Sequence, residues 1–323
     1  MNNEVLVCEI SGKRPGNSDK RKTEQFRIDY PKCIISNNSE GYETDWEIVN
    51  VPDDYRKWYE ENIKISDKGW QAPMNRSYAI KYAKEHGYKY LVQLDDNIVY
   101  LLINYSFEKN GVIKKYKSGN VGENKKLGIM NDFIDMLITI LKNTNAGMAG
   151  CNMEGVTAPD KYFLSERFCY SLFALDLSIC PEVFQGGFED DIEYRLKLAQ
   201  MGIPSVQVCC MNYMKTSQKN DSSGNRKAYQ EVGIDRGKQM LKLYGDIYKC
   251  GLRSRNQSVI SKIEVGTKQF KHILKPVKVG IIFYDKKAIE NKMKILLEKW
   301  ANKRNDKVII KTVKKKPKVN KLC

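Results

Sequence analysis

The stretch Tyr90-Leu91-Val92-Gln93-Leu94-Asp95-Asp96-Asn97-Ile98 constrains this chain most. An apolar run of this length reads as a buried strand, and this one stops in two carboxylates and an amide. Hard cations such as Mg²⁺ prefer oxygen ligands and are held by one or two carboxylates together with substrate phosphates. Upstream, Asn75-Arg76-Ser77 opens a helical pattern carried by Ala79, Ile80, Tyr82 and Ala83, which passes through Gly87 into the strand. Arginine, helix, glycine, strand and acidic tip in that order suggest a site for a metal-bound nucleoside diphosphate.

The rest of the pattern supports an α/β domain. Val5 to Ile10, Lys32 to Ile35 and Trp46 to Val51 are short apolar runs between turn residues, each expected to be a strand. Ser11-Gly12-Lys13-Arg14 is a loop after the first. Lys126 to Lys142 carries Ile129, Phe133, Met136, Leu137, Ile140 and Leu141 at helical spacing. Asn145 to Gly150 turns into a further strand, and Phe168 to Leu175 reads as another. Such alternation, over roughly the first 215 residues, predicts a largely parallel sheet flanked by helices. In such sheets ligands bind beyond the carboxyl ends of the strands, which is where Asp95, Asp96 and Asn97 would lie. Lys215 to Arg226 is polar and reads as a flexible loop, either simply solvated or a lid whose Lys215 and Lys219 close on the diphosphate. Helical character resumes near Ala228 to Leu243. A strand at Val277 to Phe283, a helix at Lys286 to Lys303 and a basic tail complete the chain. The expected division is residues 1–250 as the main domain and 251–323 as a smaller α/β extension.

Composition narrows the partners. At 323 residues and 41% hydrophobic the chain can bury a core. No apolar run reaches the roughly 20 residues of a membrane span, and the N-terminus lacks the pattern of a secretory signal. Nine scattered cysteines without a CxxC pair argue against zinc ribbons and disulfide frameworks. Reduced thiols in a bacterial or phage-infected cytoplasm follow as the expectation. The net charge of +16 admits two explanations, a lysine-rich composition or a footprint for a polyanion. Lys303, Arg304, Lys307, Lys311, Lys314, Lys315, Lys316, Lys318 and Lys321 crowd the C-terminus, and Lys13 to Lys22 is also basic. Phosphate contacts by such residues give sequence-independent, salt-sensitive affinity.

A second acidic cluster is Gly186-Gly187-Phe188-Glu189-Asp190-Asp191, followed by a helical pattern that ends at Gly202. Acids at a helix start are favoured by the helix dipole, and Asp191 and Arg195, one turn apart, suit a pair. Taken with the upstream tip, the cluster also suits a general base, since a carboxylate can take the proton of an acceptor hydroxyl. His86 reads as a helix-end residue, and His272 has no ligand-like neighbours. Trp46, Trp58, Trp70 and Trp300 read as packing residues, with Trp70 retained as a substrate contact.

Together the Leu94-Asp95-Asp96-Asn97 strand end, the Gly-Gly-Phe-Glu-Asp-Asp helix start and the Gly202-Ile203-Pro204 turn resemble nucleotide-sugar glycosyltransferases of the GT-A fold. Arg76, Asp95, Asp96, Asn97 and Ile98 are similar to the unit found in TET/JBP-associated glycosyltransferases, which act on hydroxymethylated pyrimidines in DNA. The resemblance covers residues 5 to 215. It implies a Rossmann-like, mostly parallel mixed sheet and a Mn²⁺ or Mg²⁺ ion held by Asp96 and Asn97. It further implies a UDP-sugar donor met by Ser11, Lys13, Arg14, Arg76, Asp95 and Glu189, with Asp190 or Asp191 as the base. Asn97 departs from the family's usual carboxylate, and the choice between Asp190 and Asp191 is open. The implied function is sugar transfer, of glucose in particular, to DNA. A protein, polysaccharide or small-molecule acceptor is the alternative, and a nucleic-acid-binding protein with a vestigial site is a third.

Overall fold

The computed structural model describes residues 4–14, 21–109, 112–117, 128–153, 164–185, 187, 189–216, 235–252, 270–274, 278–302 and 307–308. In chain order, β1 (Val5–Ser11), β2 (Lys32–Ser36) and β3 (Glu47–Asn50) precede α1 (Asp53–Asn62) and α2 (Gln71–Glu85). Then come β4 (Tyr90–Asp95), β5 (Ile98–Lys109), β6 (Val112–Lys117), α3 (Ile129–Lys142), β7 (Met148–Met153), β8 (Leu164–Glu166) and β9 (Leu172–Asp176). The remainder is α4 (Asp190–Gln200), β10 (Ser205–Lys215), α5 (Asp235–Tyr244), β11 (Tyr248–Leu252), β12 (Phe270–Leu274), α6 (Lys286–Asn302) and β13 (Lys307–Val308).

The main sheet has 11 strands, with β13, β5, β10, β7, β9, β4, β1, β2 and β3 side by side, β6 on β5 and β8 on β10. Parallel pairing joins β1 to β2 and β4, β2 to β3, and β7 to β10. β9 runs against both β4 and β7, while β5 and β8 run against β10. The sheet is therefore α/β and mixed, with most strands pointing one way. β1 is buried at every position, as a strand covered on both faces must be. Beyond β1 the chain builds β2 and β3 on one side and β4 on the other. That reversal of strand order opens a crevice at the carboxyl ends of β1 and β4.

One face carries α1 and α2, with Met74, Tyr78, Ala79, Ile80 and Ala83 packed on Leu6, Cys8, Leu91 and Phe173. The other carries α3 and α6, with Phe133, Met136 and Leu137 in one cluster with Met293, Leu297 and Trp300. The C-terminal helix thus belongs to the main core. Lys299 Nζ donates to Asp132 (2.6 Å), Trp300 Nε1 to Asp132 (3.1 Å) and Lys292 Nζ to Asp135 (3.0 Å), locking α6 to α3. Lys286 pairs with Glu290 and Lys294 with Glu298 along α6 itself. Apart from the main sheet, β11 and β12 form a two-stranded antiparallel pair. Among the described residues no helix is long and apolar enough to cross a membrane.

Several elements depart from the sequence expectation. α2 starts at Gln71, not at Asn75, because Pro73 falls in its first turn, where its missing N–H costs nothing. The strand expected from Phe168 begins only at Leu172, since Ser171 takes a left-handed turn at φ 45°. Residues 278–282 form no strand. Glu166 accepts the Val279 and Gly280 N–H groups (both 2.8 Å), and only Phe283 makes a bridge, to Thr144. Lys215 lies at the end of β10 and not in a solvated loop. Lys219, Gly186, Phe188 and the tail beyond Val308 lie outside the described residues.

Candidate active site

Three elements meet at the crevice. β1 ends in Ser11, β4 ends in Asp95, and α4 begins at Asp190 with Glu189 just before it. The side chain that joins them is Arg76, which α2 presents over the Phe173 ring at 5.4 Å. Its Nη2 donates to Asp95 Oδ1 (2.6 Å), its Nε to Asp190 Oδ2 (2.6 Å) and its Nη1 to Gln93 Oε1 (3.2 Å). Gln93 Nε2 donates back to the Arg76 carbonyl (3.0 Å), fixing the amide's orientation. The guanidinium fork suits this geometry because it serves several planar acceptors at once. The two acidic clusters, far apart in sequence, therefore converge on one cation.

Asp95 is capped on its second oxygen by Lys215 Nζ (2.5 Å), which also donates to Ser171 Oγ (2.9 Å). Ser171 in turn accepts the Asp95 N–H on its carbonyl (2.8 Å). Burial pushes the Asp95 carboxyl up, but Lys215 and Arg76 outweigh it and hold the group well below the usual carboxylate range. Burial works against the Arg76 cation too, yet Asp95, Asp190 and Asp191 raise its pKa overall.

Asp96 faces different partners. Ser11 Oγ donates to its Oδ2 (2.7 Å), and Arg14 Nη1 lies 3.2 Å from its Oδ1. The Tyr42 hydroxyl lies 2.9 Å from Ser11 Oγ and accepts the Arg14 backbone N–H (3.3 Å), so it shapes the loop after β1. Lys13 turns that loop at φ 57° and keeps an exposed side chain, away from the acids. The turn from β4 to β5 is pinned by Thr23, whose Oγ1 donates to the Asp95 carbonyl (2.5 Å) and accepts the Ile98 N–H (3.0 Å). The N–H groups of Lys22 and Thr23 donate to the Asp96 carbonyl (2.7 and 3.0 Å). Burial raises the Asp96 carboxyl to about 6, with Arg14 and Ser11 opposing.

Asn97 is buried and its Oδ1 accepts from no donor among the described residues. Burying an amide oxygen without a donor is costly, so this atom is suited to an incoming ligand. Asp96 and Asn97 together offer hard oxygen donors at the mouth of the crevice, which fits a divalent cation completed by phosphate oxygens. Asp95, with both oxygens on cations, is unsuited to metal ligation. Among the described residues no three His, Cys, Asp or Glu side chains gather as a metal-binding group. A cation here would therefore draw on the amide and on a ligand's own oxygens.

At the start of α4, Asp190 and Asp191 differ. Burial raises both, but Arg76 opposes this at Asp190, whereas Asp190 and Glu189 push Asp191 well above the ordinary carboxylate range. Glu193 is fully buried and structural, accepting from Tyr244 Oη (2.5 Å) and the Gln185 N–H (2.8 Å). Arg195 lies over the Phe168 ring at 4.6 Å. His86 caps α2, its Nδ1 2.8 Å from the Tyr82 carbonyl, and Trp70 is buried before α2 with Arg56 and Lys64 beside its ring.

Family models and curated proteins give no match to this sequence. The geometry therefore carries the functional argument. It adds Tyr42, Thr23, Gln93 and Ser171 to the residues the sequence singled out. Gln93 alone had a signal in the sequence, as a lone amide inside an apolar strand.

Proposed function

We propose that this chain is a metal-dependent glycosyltransferase of the GT-A fold that moves a sugar, glucose in the first instance, from a UDP-sugar to the hydroxyl of a hydroxymethylated pyrimidine in DNA. The observation that carries the reading is Arg76 spanning Asp95 and Asp190, which brings a strand-end acid and a helix-start acid to one crevice. The unfilled Asn97 oxygen beside Asp96 supports a cation at the same place.

In this reading Asp96 and Asn97 hold Mn²⁺ or Mg²⁺, which when bound neutralises charge gathering on the departing diphosphate. Arg14 adds a charge-assisted bond to a phosphate oxygen. Asp191, raised and in no ion pair with a cation among the described residues, is the base, and Asp190 is held by Arg76 as a positioning residue. The acceptor O–H gives its proton to Asp191 as its oxygen attacks the anomeric carbon. The bond from that carbon to the diphosphate breaks, and the electron pair leaves on the phosphate oxygen. Lys215 and Arg76 keep Asp95 ionised, so the crevice floor stays rigid while charge moves above it.

The net charge of +16 supports a polyanionic acceptor. The test is incubation with Mn²⁺, UDP-glucose and DNA with or without 5-hydroxymethylcytosine or 5-hydroxymethyluracil, followed by digestion to nucleosides. A hexose mass increment on the modified base is expected. Transfer to protein or glycan alone would replace the acceptor, and absence of UDP-glucose binding and turnover would remove the enzymatic reading.

A further inference from the structure

Across the sheet from Asp95, the same face carries amides that the proposed chemistry does not use. Gln93, Phe173 and Gly150 are opposite one another on β4, β9 and β7. Two residues further along the same face lie Asp95, Ser171 and Asn152, and Asn152 pairs with Asn212 on β10. Asn212 lies opposite Leu102 on β5, and Asn104 follows two residues on, again on that face. The row runs from charged groups at Asp95 to neutral amides at Asn152 and Asn212, with Asn104 on the same face two residues back from the carboxyl ends.

Asn152 Nδ2 donates to Asn212 Oδ1. That leaves Asn212 Nδ2 without an acceptor among the described residues, and Asn104 Nδ2 is in the same position. Asn152 and Asn212 are fully buried and Asn104 is 7% exposed. Buried amide donors without acceptors are rare and costly. The strand is also interrupted here. β10 pairs Val208 with Cys151 and then Asn212 with Asn152, skipping three residues. Such bulges re-aim side chains and occur beside functional sites. On the nucleotide side the unfilled atom is an acceptor, Asn97 Oδ1, suited to a cation. Here the unfilled atoms are amide donors, suited to the oxygens of a neutral group.

We infer that Asn152 and Asn212 form the subsite for the hydroxyl oxygens of the transferred sugar. Strands are spaced about 4.8 Å apart, so Asn152 stands roughly 10 Å and Asn212 roughly 14 Å from Asp95 across β9 and β7. That is the reach of a hexose beyond a diphosphate held at the β1 and β4 ends. The inference rests on the proposed function and names the part of the donor that this patch recognises.

The experiment is calorimetric titration of the full chain, with Mn²⁺, by UDP and by UDP-glucose. Asn212→Ala is expected to leave the UDP dissociation constant within twofold and to weaken UDP-glucose about tenfold relative to UDP. On the unaltered protein, UDP-glucose analogues lacking one hydroxyl each are expected to include at least one that binds tenfold more weakly, which holds even if a variant fails to fold. Intact UDP binding with an unmoved ratio, and analogues all within twofold of UDP-glucose, would overturn the inference alone. No UDP binding by the unaltered protein would overturn it together with the proposed function.

Discussion

The Lys215 ammonium stands 2.5 Å from Asp95 Oδ2, across 120 positions of sequence. With Arg76 on the other oxygen, it turns the first acid of the Asp-Asp-Asn tip into a buttress and leaves cation binding, on the proposed reading, to Asp96 and Asn97. Lys215→Met should strand half of a carboxylate and destabilise the fold by about 2 kcal/mol, below the roughly 3–5 kcal/mol of breaking a fully buried pair because both side chains are partly exposed. Urea unfolding followed by circular dichroism measures it. A change under about 0.5 kcal/mol, the size of a surface pair, would show that the pair is solvated.

Asp95 gives stability a defined acid limit. Its carboxyl is held below its ordinary value, so the unfolded chain binds the proton more readily than the native one. Its contribution is full above about pH 4, the unfolded value, and is lost as the pH falls further towards the folded value. Asp95→Asn should flatten the fall in melting temperature below pH 4 relative to the unaltered protein. Parallel melting curves from pH 5 to pH 2.5 would contradict that assignment.

Asp96→Ala and Asp95→Asn should separate two roles. The first is expected to abolish Mn²⁺-dependent UDP binding and turnover. The second should leave Mn²⁺ affinity within about threefold, since its oxygens already serve cations, while lowering stability. Mn²⁺ titration followed by electron paramagnetic resonance reads both. Equal loss in the two variants would mean that Asp95 reaches the metal after all.

Among the helix-start acids, Asp191→Asn should lower kcat by about 10²–10⁴-fold, the usual worth of a general base, with KM for UDP-glucose little changed. Asp190→Asn should instead free one side of Arg76, raising KM and lowering stability more than it lowers kcat. A larger kcat loss at Asp190 than at Asp191 would exchange the two roles.

Arg76→Lys should not rescue Arg76→Ala. An ammonium cannot serve Asp95, Asp190 and Gln93 from one planar fork. Both variants are expected to lose more than about 100-fold in activity, near the effect of misplacing groups by an ångström. Substantial activity in Arg76→Lys would reduce Arg76 to a simple counter-charge.

Much of this architecture was legible because its signals are local. The apolar run into Asp95, the Arg76 helix and the acids before Ile192 each announce themselves within a dozen residues. What joins them was not. Lys215 sits in a polar stretch that reads as loop, and only the length of β10 carries it back to β4. Thr23 and Tyr42 do their work through long-range hydrogen bonds to Asp95, Ser11 and the loop after β1, which no periodicity encodes. Strand ends failed where the backbone turned for tertiary reasons, as at Ser171 with its positive φ. The strand expected near residue 280 gave way because Glu166 collected its N–H groups, so an ionic clamp replaced a ladder.

The lysines of α6 carry a consequence for how the chain meets a polyanion. Lys286, Lys292, Lys294 and Lys299 each face a carboxylate of the protein itself. A side chain already answered at home releases few condensed counterions when a duplex arrives. Neutralising these four should scarcely change the slope of log affinity against log salt, so the long-range pull of the +16 charge is exerted by cations elsewhere on the chain.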